Sequence, residues 1–202
     1  MNDPVAKFRI GALLFPQFEL LDVYGPLEFL GNLGPGVSIT MMAEAPGAIP
    51  SAQGPKGVAD LALAEVADLD LLLVPGGWGT RALAQNESFL RQLKTVAARA
   101  KYVASVCTGS ALLAKAGILD GRSATSNKRV FDWVMTQGPR VNWVRPARWV
   151  EDGNLFTSSG VTAGMDMTLG LIQHIFGRTK SLELAQNAEY GWHEDKTFDP
   201  FA

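Results

Sequence analysis

At 202 residues, with 47% hydrophobic and 19% charged residues, the chain is long enough to bury a core and ordinary in composition for a globular protein. A formal net charge of −2 and scattered basic residues give no electrostatic reason to expect nucleic acid or an anionic membrane as partner, and no apolar run is long enough to span a bilayer. A single cysteine, Cys107, excludes an intramolecular disulfide and a cysteine-based zinc site.

The start, Met1 to Lys7, lacks the charged and apolar regions of a signal peptide, so a cytoplasmic location is expected. Phe8 to Phe15 reads as a buried strand ended by Pro16-Gln17, and a helix follows from Leu21–Asp22 to Leu30, stopped by Gly31 and Gly34. Val37 to Ala43 is a second strand. The Gly-, Pro- and Ala-rich stretch from Ala45 to Leu63 suggests a hairpin or loop excursion. Leu69 to Val74 is a near-continuous aliphatic run, as in a parallel strand covered on both faces.

Asn86 stands as N-cap before Phe89, Leu90, Leu93, Val96 and Ala97 at helical spacing. Tyr102 to Val106 is the next strand and Gly109 to Ala116 its helix, closed by Gly117. A short strand at Ser123–Thr125 and a helix around Val130–Thr136 come next. A β excursion then runs through Val141–Val144 and Trp149–Thr157, turning at Gly153-Asn154, before two closing helices, Met165 to Phe176 and Ser181 to Tyr190. Arg140, Arg145 and Arg148, interrupted by Trp143, Pro146 and Trp149, read as a solvated strand-and-turn face. Strands separated by helices predict a mainly parallel sheet with helices on both faces, one domain over 1–202.

Ligands of such sheets bind at the carboxyl ends of the strands. Three segments fall there. Cys107 sits between a strand and a helix, where a sharp turn exposes a nucleophile and the helix N-terminus favours thiolate. Gly76 and Gly77 follow the Leu69–Val74 strand and let backbone N–H groups approach a ligand, although a loop that merely needs positive φ is the equal alternative. Asp22 follows the first strand. Alone it reads as an N-cap; opposite a thiol, a carboxyl can stay protonated and serve as a proton source.

The histidines, His174 and His193, fall in an apolar helix and in the tail, so neither a Cys–His dyad nor a metal site is supported. Ser105, Ser110 and Ser126 have no histidine partner for a serine triad. Trp133, Trp143, Trp149 and Trp192 read as core or interface fillers, as do Met41-Met42, Met165 and Met167.

Val106-Cys107-Thr108-Gly109-Ser110, Val74-Pro75-Gly76-Gly77, Leu21-Asp22-Val23-Tyr24-Gly25-Pro26 and Ser158-Ser159-Gly160-Val161-Thr162 together resemble the ThiJ/PfpI superfamily of class I glutamine amidotransferase-like proteins. The resemblance spans nearly the whole chain. Within the superfamily it points to the branch of isonitrile hydratases and the amidotransferase-like domains of AraC-type regulators. It implies a flavodoxin-like three-layer sandwich, a homodimer, a small-molecule substrate, and no metal or organic cofactor. It also implies catalytic roles for Asp22, Cys107 and Thr108, and oxyanion or substrate contacts from Gly76, Gly77, Asn127, Gly160, Val161 and Thr162.

Many relatives carry a histidine where this chain has Asn127, which cannot shuttle a proton near neutral pH. Protease, glyoxalase and deglycase roles are weakened accordingly. The expected activity is hydration of an isonitrile to an N-substituted formamide by Cys107 and Asp22. The alternatives are a non-enzymatic redox or metabolite sensor using the same cysteine, and a small amidase or glyoxalase-type hydrolase.

Overall fold

The computed structural model describes residues 8–202; Met1 to Lys7, read above for signal-peptide features, lie outside the described residues. In chain order the elements are β1 (Phe8–Leu13), α1 (Leu20–Gly31), β2 (Val37–Ala43), β3 (Gly47–Pro50), β4 (Lys56–Ala59), β5 (Leu61–Ala62) and β6 (Leu69–Val74). They continue with α2 (Thr80–Leu83), α3 (Glu87–Ala97), β7 (Ala100–Ser105), α4 (Gly109–Lys115), β8 (Ser123–Ala124) and α5 (Phe131–Gln137). Last come β9 (Asn142–Trp143), β10 (Trp149–Asp152), β11 (Leu155–Ser158), α6 (Ala163–Phe176) and α7 (Arg178–Asn187).

The central seven-stranded sheet has the order β10-β11-β7-β6-β1-β2-β5 and is parallel except where β10 pairs antiparallel with β11. β1 leads to β2 on one side, and the chain later returns to place β6 on the other, so the sheet's topological switch lies between β1 and β6. Every residue of β6 is buried, as its near-continuous aliphatic run predicts. The exception inside that run, Asp70, lies at the sheet edge away from Cys107, paired with Lys101 Nζ at 2.6 Å and accepting from Arg9 N at 2.8 Å. α1, α6 and α7 pack together against one face of the sheet and α2 to α5 form the opposite layer. No helix of the described residues is long and apolar enough to cross a membrane.

Local signals explain most boundaries. Asn86 caps α3 by accepting from Phe89 N at 3.1 Å, and Gly117 ends α4 at φ +75°. The Gly- and Pro-rich excursion is the β3–β4 hairpin. Two expectations change. The excursion expected through Val141–Val144 and Trp149–Thr157 is not one unit: β9 pairs in parallel with β8, and only β10–β11 forms the hairpin, turning at Gly153 with φ +62°. β8 and β9 are too short for periodicity to reveal their partners.

The arginine cluster is a solvated face only at Arg140 and Arg145, which are exposed. Arg140 pairs with Asp120 and Arg145 with Asp132, but Arg148 is buried. Its Nε donates to Asp166 Oδ2 at 2.7 Å, and Asp166 is completely enclosed. The partner lies 18 residues away on α6, beyond the reach of local pattern.

Candidate active site

Cys107 occupies the turn between β7 and α4 with φ +56°, a left-handed conformation that costs a non-glycine residue of order 1–3 kcal/mol. Surrounding contacts over-determine that strain. Cys107 N donates to Ser159 O at 3.1 Å, and the neighbouring Val106 N donates to Val74 O at 3.0 Å. The Cys107 carbonyl accepts from Ser110 Oγ at 3.1 Å and Ser126 Oγ at 2.8 Å. Two of the serines without a triad partner therefore brace the nucleophile turn.

Asp22 is the third residue of α1, with its side chain wholly buried, and it does not cap the helix. Its Oδ2 accepts from Gly76 N at 2.8 Å, the carboxyl faces the Cys107 thiol, and Oδ1 meets no conventional donor among the described residues. Burial holds the Asp22 carboxyl well above the usual carboxylate range, with the nearby charge of Glu19 adding to the rise. Burial also pushes the Cys107 thiol upward, and the Asp22 charge pushes the same way. The expected stabilisation of thiolate by the helix N-terminus is thus overturned: the Thr108 and Val161 N–H groups and Asn127 oppose the rise but do not overcome desolvation. Protons are retained on a coupled acid–thiol pair.

Asn127 Nδ2 donates to Cys107 Sγ at 3.2 Å, while its Oδ1 accepts from Arg129 N at 3.0 Å. The second bond fixes which end of the amide faces sulfur. Val161 also faces sulfur through its backbone N–H and adopts φ +44°, which is unusual for a β-branched residue. Gly160 lies against Asn127, where a Cβ would stand 2.6 Å from Nδ2.

The glycine turn has a different job from the one expected. Gly76 N is taken by Asp22, and Gly77 N donates to Thr108 Oγ1 at 3.1 Å, so neither N–H is left for a developing anion. A Cβ on Gly76 would lie 2.5 Å from Thr108 N, and Gly77 has φ +127°. Gly76 lets the β6 loop touch the β7 loop, and Gly77, where a Cβ would run into Gln17 O, lets it touch the loop that leads from β1 into α1. The Thr108 hydroxyl accepts from Gly77 N and from Thr80 Oγ1 at 3.2 Å, so it braces the two loops against each other. Thr162 accepts from Arg148 at 3.4 Å and does not line the cleft.

The cleft over Cys107 encloses about 290 Å³. Gly77, Thr108, Asn127 and Val161 line it, together with Glu19, Trp78, Arg81, Arg129 and Val130, which sequence reasoning did not single out. Trp78 directly follows the glycine turn, which was the one available signal; the others reach the cleft only through folding. Among the described residues no three His, Cys, Asp or Glu side chains come together as a metal-binding group. His174 lies away from the cleft, its Nδ1 2.9 Å from Glu151 and its ring against Tyr102 and Phe156.

Comparison with known proteins matches this geometry to a family. The chain is 39% identical over 171 residues to an isonitrile hydratase of Pseudomonas putida, covering 84% of this chain and 72% of that protein. It is 33% identical over 152 residues to a deglycase of Pyrococcus abyssi, covering 74% of this chain and 89% of that one. A ThiJ/PfpI family protein from Pseudomonas syringae has the same fold, with a TM-score of 0.85 and 32% identity over 93% of this chain and 76% of that one. Residues 8–174 match the DJ-1/PfpI family, and the chain belongs to that family.

Proposed function

We propose that the protein is an isonitrile hydratase. The observation that carries the reading is the pairing of Cys107 with a buried, proton-retaining Asp22 and with Asn127 instead of a basic histidine. The terminal carbon of an isonitrile must receive both a nucleophile and a proton, so a thiol beside a carboxylic acid holds both reagents. In the first step the Cys107 sulfur forms a bond to that carbon. The proton of the Cys107–Asp22 pair goes to the same carbon, giving a thioimidate. Water then adds to that carbon and the C–S bond breaks. Of the two water protons one goes to the substrate nitrogen and the other restores the Cys107–Asp22 pair, while the proton delivered first stays on carbon as the formyl hydrogen of the departing formamide. Thr108 N, Val161 N and the Asn127 amide surround the sulfur and offset charge that develops there.

Similarity to the Pseudomonas putida hydratase supports this reading. A deglycase role that relies on a histidine at the place of Asn127 is disfavoured, because the amide has no basic site to relay a proton. A peroxide sensor is disfavoured by the same burial that keeps the sulfur protonated, because oxidation follows thiolate character and exposure.

Formamide production from cyclohexyl isocyanide tests the proposal. Wild type should turn over. Cys107→Ala should be inactive, and Asp22→Asn should lose about 10²–10⁴-fold, the range of one general acid–base group. Absence of formamide from folded wild type, under conditions where a known hydratase is active, rejects the reading.

A further inference from the structure

The cleft carries a feature that adding water to an isonitrile does not require. Arg81 is half-buried, and its guanidinium lies over Trp78 at 5.0 Å and over Trp133 at 4.4 Å from the ring centroids. Stacking of this kind orients the guanidinium and leaves the N–H edge as its unsatisfied part. Among the described residues no carboxylate stands within ion-pairing distance of it, and its side chain donates no hydrogen bond. Arg129, two residues beyond the amide that touches sulfur, lines the same cleft with an exposed side chain. Most other arginines of the chain are matched to acids: Arg122 with Asp152, Arg140 with Asp120, Arg145 with Asp132, Arg148 with Asp166 and Arg178 with Glu194.

The opposing charge in the cleft is Glu19, which lies at the Asp22 end and accepts from Gln53 Nε2 at 2.7 Å. Glu19 thus acts on Asp22, while the Arg81 guanidinium is held over Trp78 and Trp133. Resting on the hydratase reading for the chemistry, we propose that Arg81 and Arg129 form an anion subsite, and that the substrate is an electrophile whose far end carries a carboxylate. The apolar walls from Trp78, Val130 and Val161 hold the middle of such a molecule, and the cleft volume of about 290 Å³ confines it to a small metabolite.

The test uses Cys107 labelling, which needs no hydratase activity. Rates are measured with 3-maleimidopropionate and with neutral N-ethylmaleimide, and their ratio is compared with that for N-acetylcysteine amide in solution. Wild type should exceed the free-thiol ratio on the order of tenfold, the scale of one charge-assisted contact. The Arg81→Gln/Arg129→Gln double variant should fall back to the free-thiol ratio, and the corresponding double lysine variant should keep part of the excess. The N-ethylmaleimide rate of each variant reports whether the cleft is intact. An equal ratio in wild type and the double glutamine variant overturns the subsite. A second arm compares hydration of 4-isocyanobutanoate with that of its methyl ester. Failure of both substrates with the labelling ratio still arginine-dependent rejects the hydratase reading alone; turnover of both with no arginine-dependent preference rejects the subsite alone.

Discussion

Cys107 and Asp22 each hold their protons more tightly than the free side chains do, and together they bind two titrating protons. For the proposed reaction the competent pair carries one: sulfur must attack as thiolate while a proton remains to be delivered. The expected pH profile of kcat/KM is therefore a bell. Its acid limb should lie above the ordinary carboxyl range of about 4, and its alkaline limb above the ordinary thiol range of about 8.5. Asp22→Asn leaves the thiol as the only titrating group of the pair, so its residual activity should show a single rise with thiol ionisation and no alkaline limb; an unchanged two-limbed bell in that variant would remove Asp22 from the chemistry. Stability gives an independent reading of the same carboxyl. The unfolded chain releases the Asp22 proton near pH 4 while the folded protein keeps it, so the folded state loses stability as pH rises from about 4 toward the raised value. Asp22→Asn should then melt higher than wild type near neutrality, with the difference shrinking toward about pH 4. Asp70 has the opposite sign: despite its burial, Lys101 and Arg9 hold it below the usual range. Its contribution is present above about pH 4 and lost as pH falls through the depressed value, so Asp70→Asn should melt lower at neutral pH and converge with wild type in acid.

At the scale of elements, the turn from β11 into α6 is held from behind. Asp166, in the first turn of α6, accepts from Arg148 Nε, from Tyr190 OH at 3.0 Å and from His193 N at 2.9 Å, tying β10, α6 and the tail together. The Arg148 carbonyl accepts from Ser159 N at 2.8 Å, and the Ser159 carbonyl accepts from Cys107 N at 3.1 Å. A buried ion pair thus backs the segment that places Val161 N–H against sulfur. Arg148→Met strands Asp166 in the interior and should cost about 3–5 kcal/mol in urea unfolding, the range for breaking a buried pair by removing one partner. A loss below about 1 kcal/mol would mean that Asp166 is satisfied by Tyr190 and the tail alone. At the nucleophile loop, Gly76→Ala places a Cβ 2.5 Å from Thr108 N, so the β6 and β7 loops must separate. The expected outcome is lost activity together with faster labelling of Cys107 by N-ethylmaleimide, because the sulfur becomes uncovered.

Across the whole molecule, the site gathers where parallel strands end beside the topological switch. Asp22 follows β1, Gly76 follows β6, Cys107 follows β7 and Val161 follows β11. Such edges collect loops that diverge from a rigid base, which lets distant residues meet while the sheet fixes their spacing. Stability should be graded in the same pattern. Hydrogen exchange should be slowest in β6, β1 and β7, whose amides are paired inside the sheet, and fastest in the two-stranded β3–β4 hairpin outside it. A hairpin as protected as β6 would contradict this picture and point to a partner covering it.

Much of this was legible in the chain. Leu69–Val74 coincides with an observed strand buried along its whole length, as a near-continuous aliphatic run reports, and Val37–Ala43 coincides with a strand that is only part-buried over most of its length. The positions of Asp22, Gly76 and Cys107 at one edge follow from alternating strands and helices, since parallel strands place their carboxyl ends together. What the chain could not reveal depends on contacts between residues far apart. Thr108, Gly76 and Gly77 have spent their polar groups on one another, and only folding shows which donors remain. Arg148 looks like surface until Asp166 encloses it, and Arg81 looks unremarkable until Trp133 covers its second face. The direction of the Cys107 shift was decided the same way: a helix start argues for thiolate, but desolvation depends on everything packed around the sulfur, and it prevails. Sequence periodicity thus determined the frame and the edge, while the protonation and charge of the site were settled by tertiary burial, which no local pattern encodes.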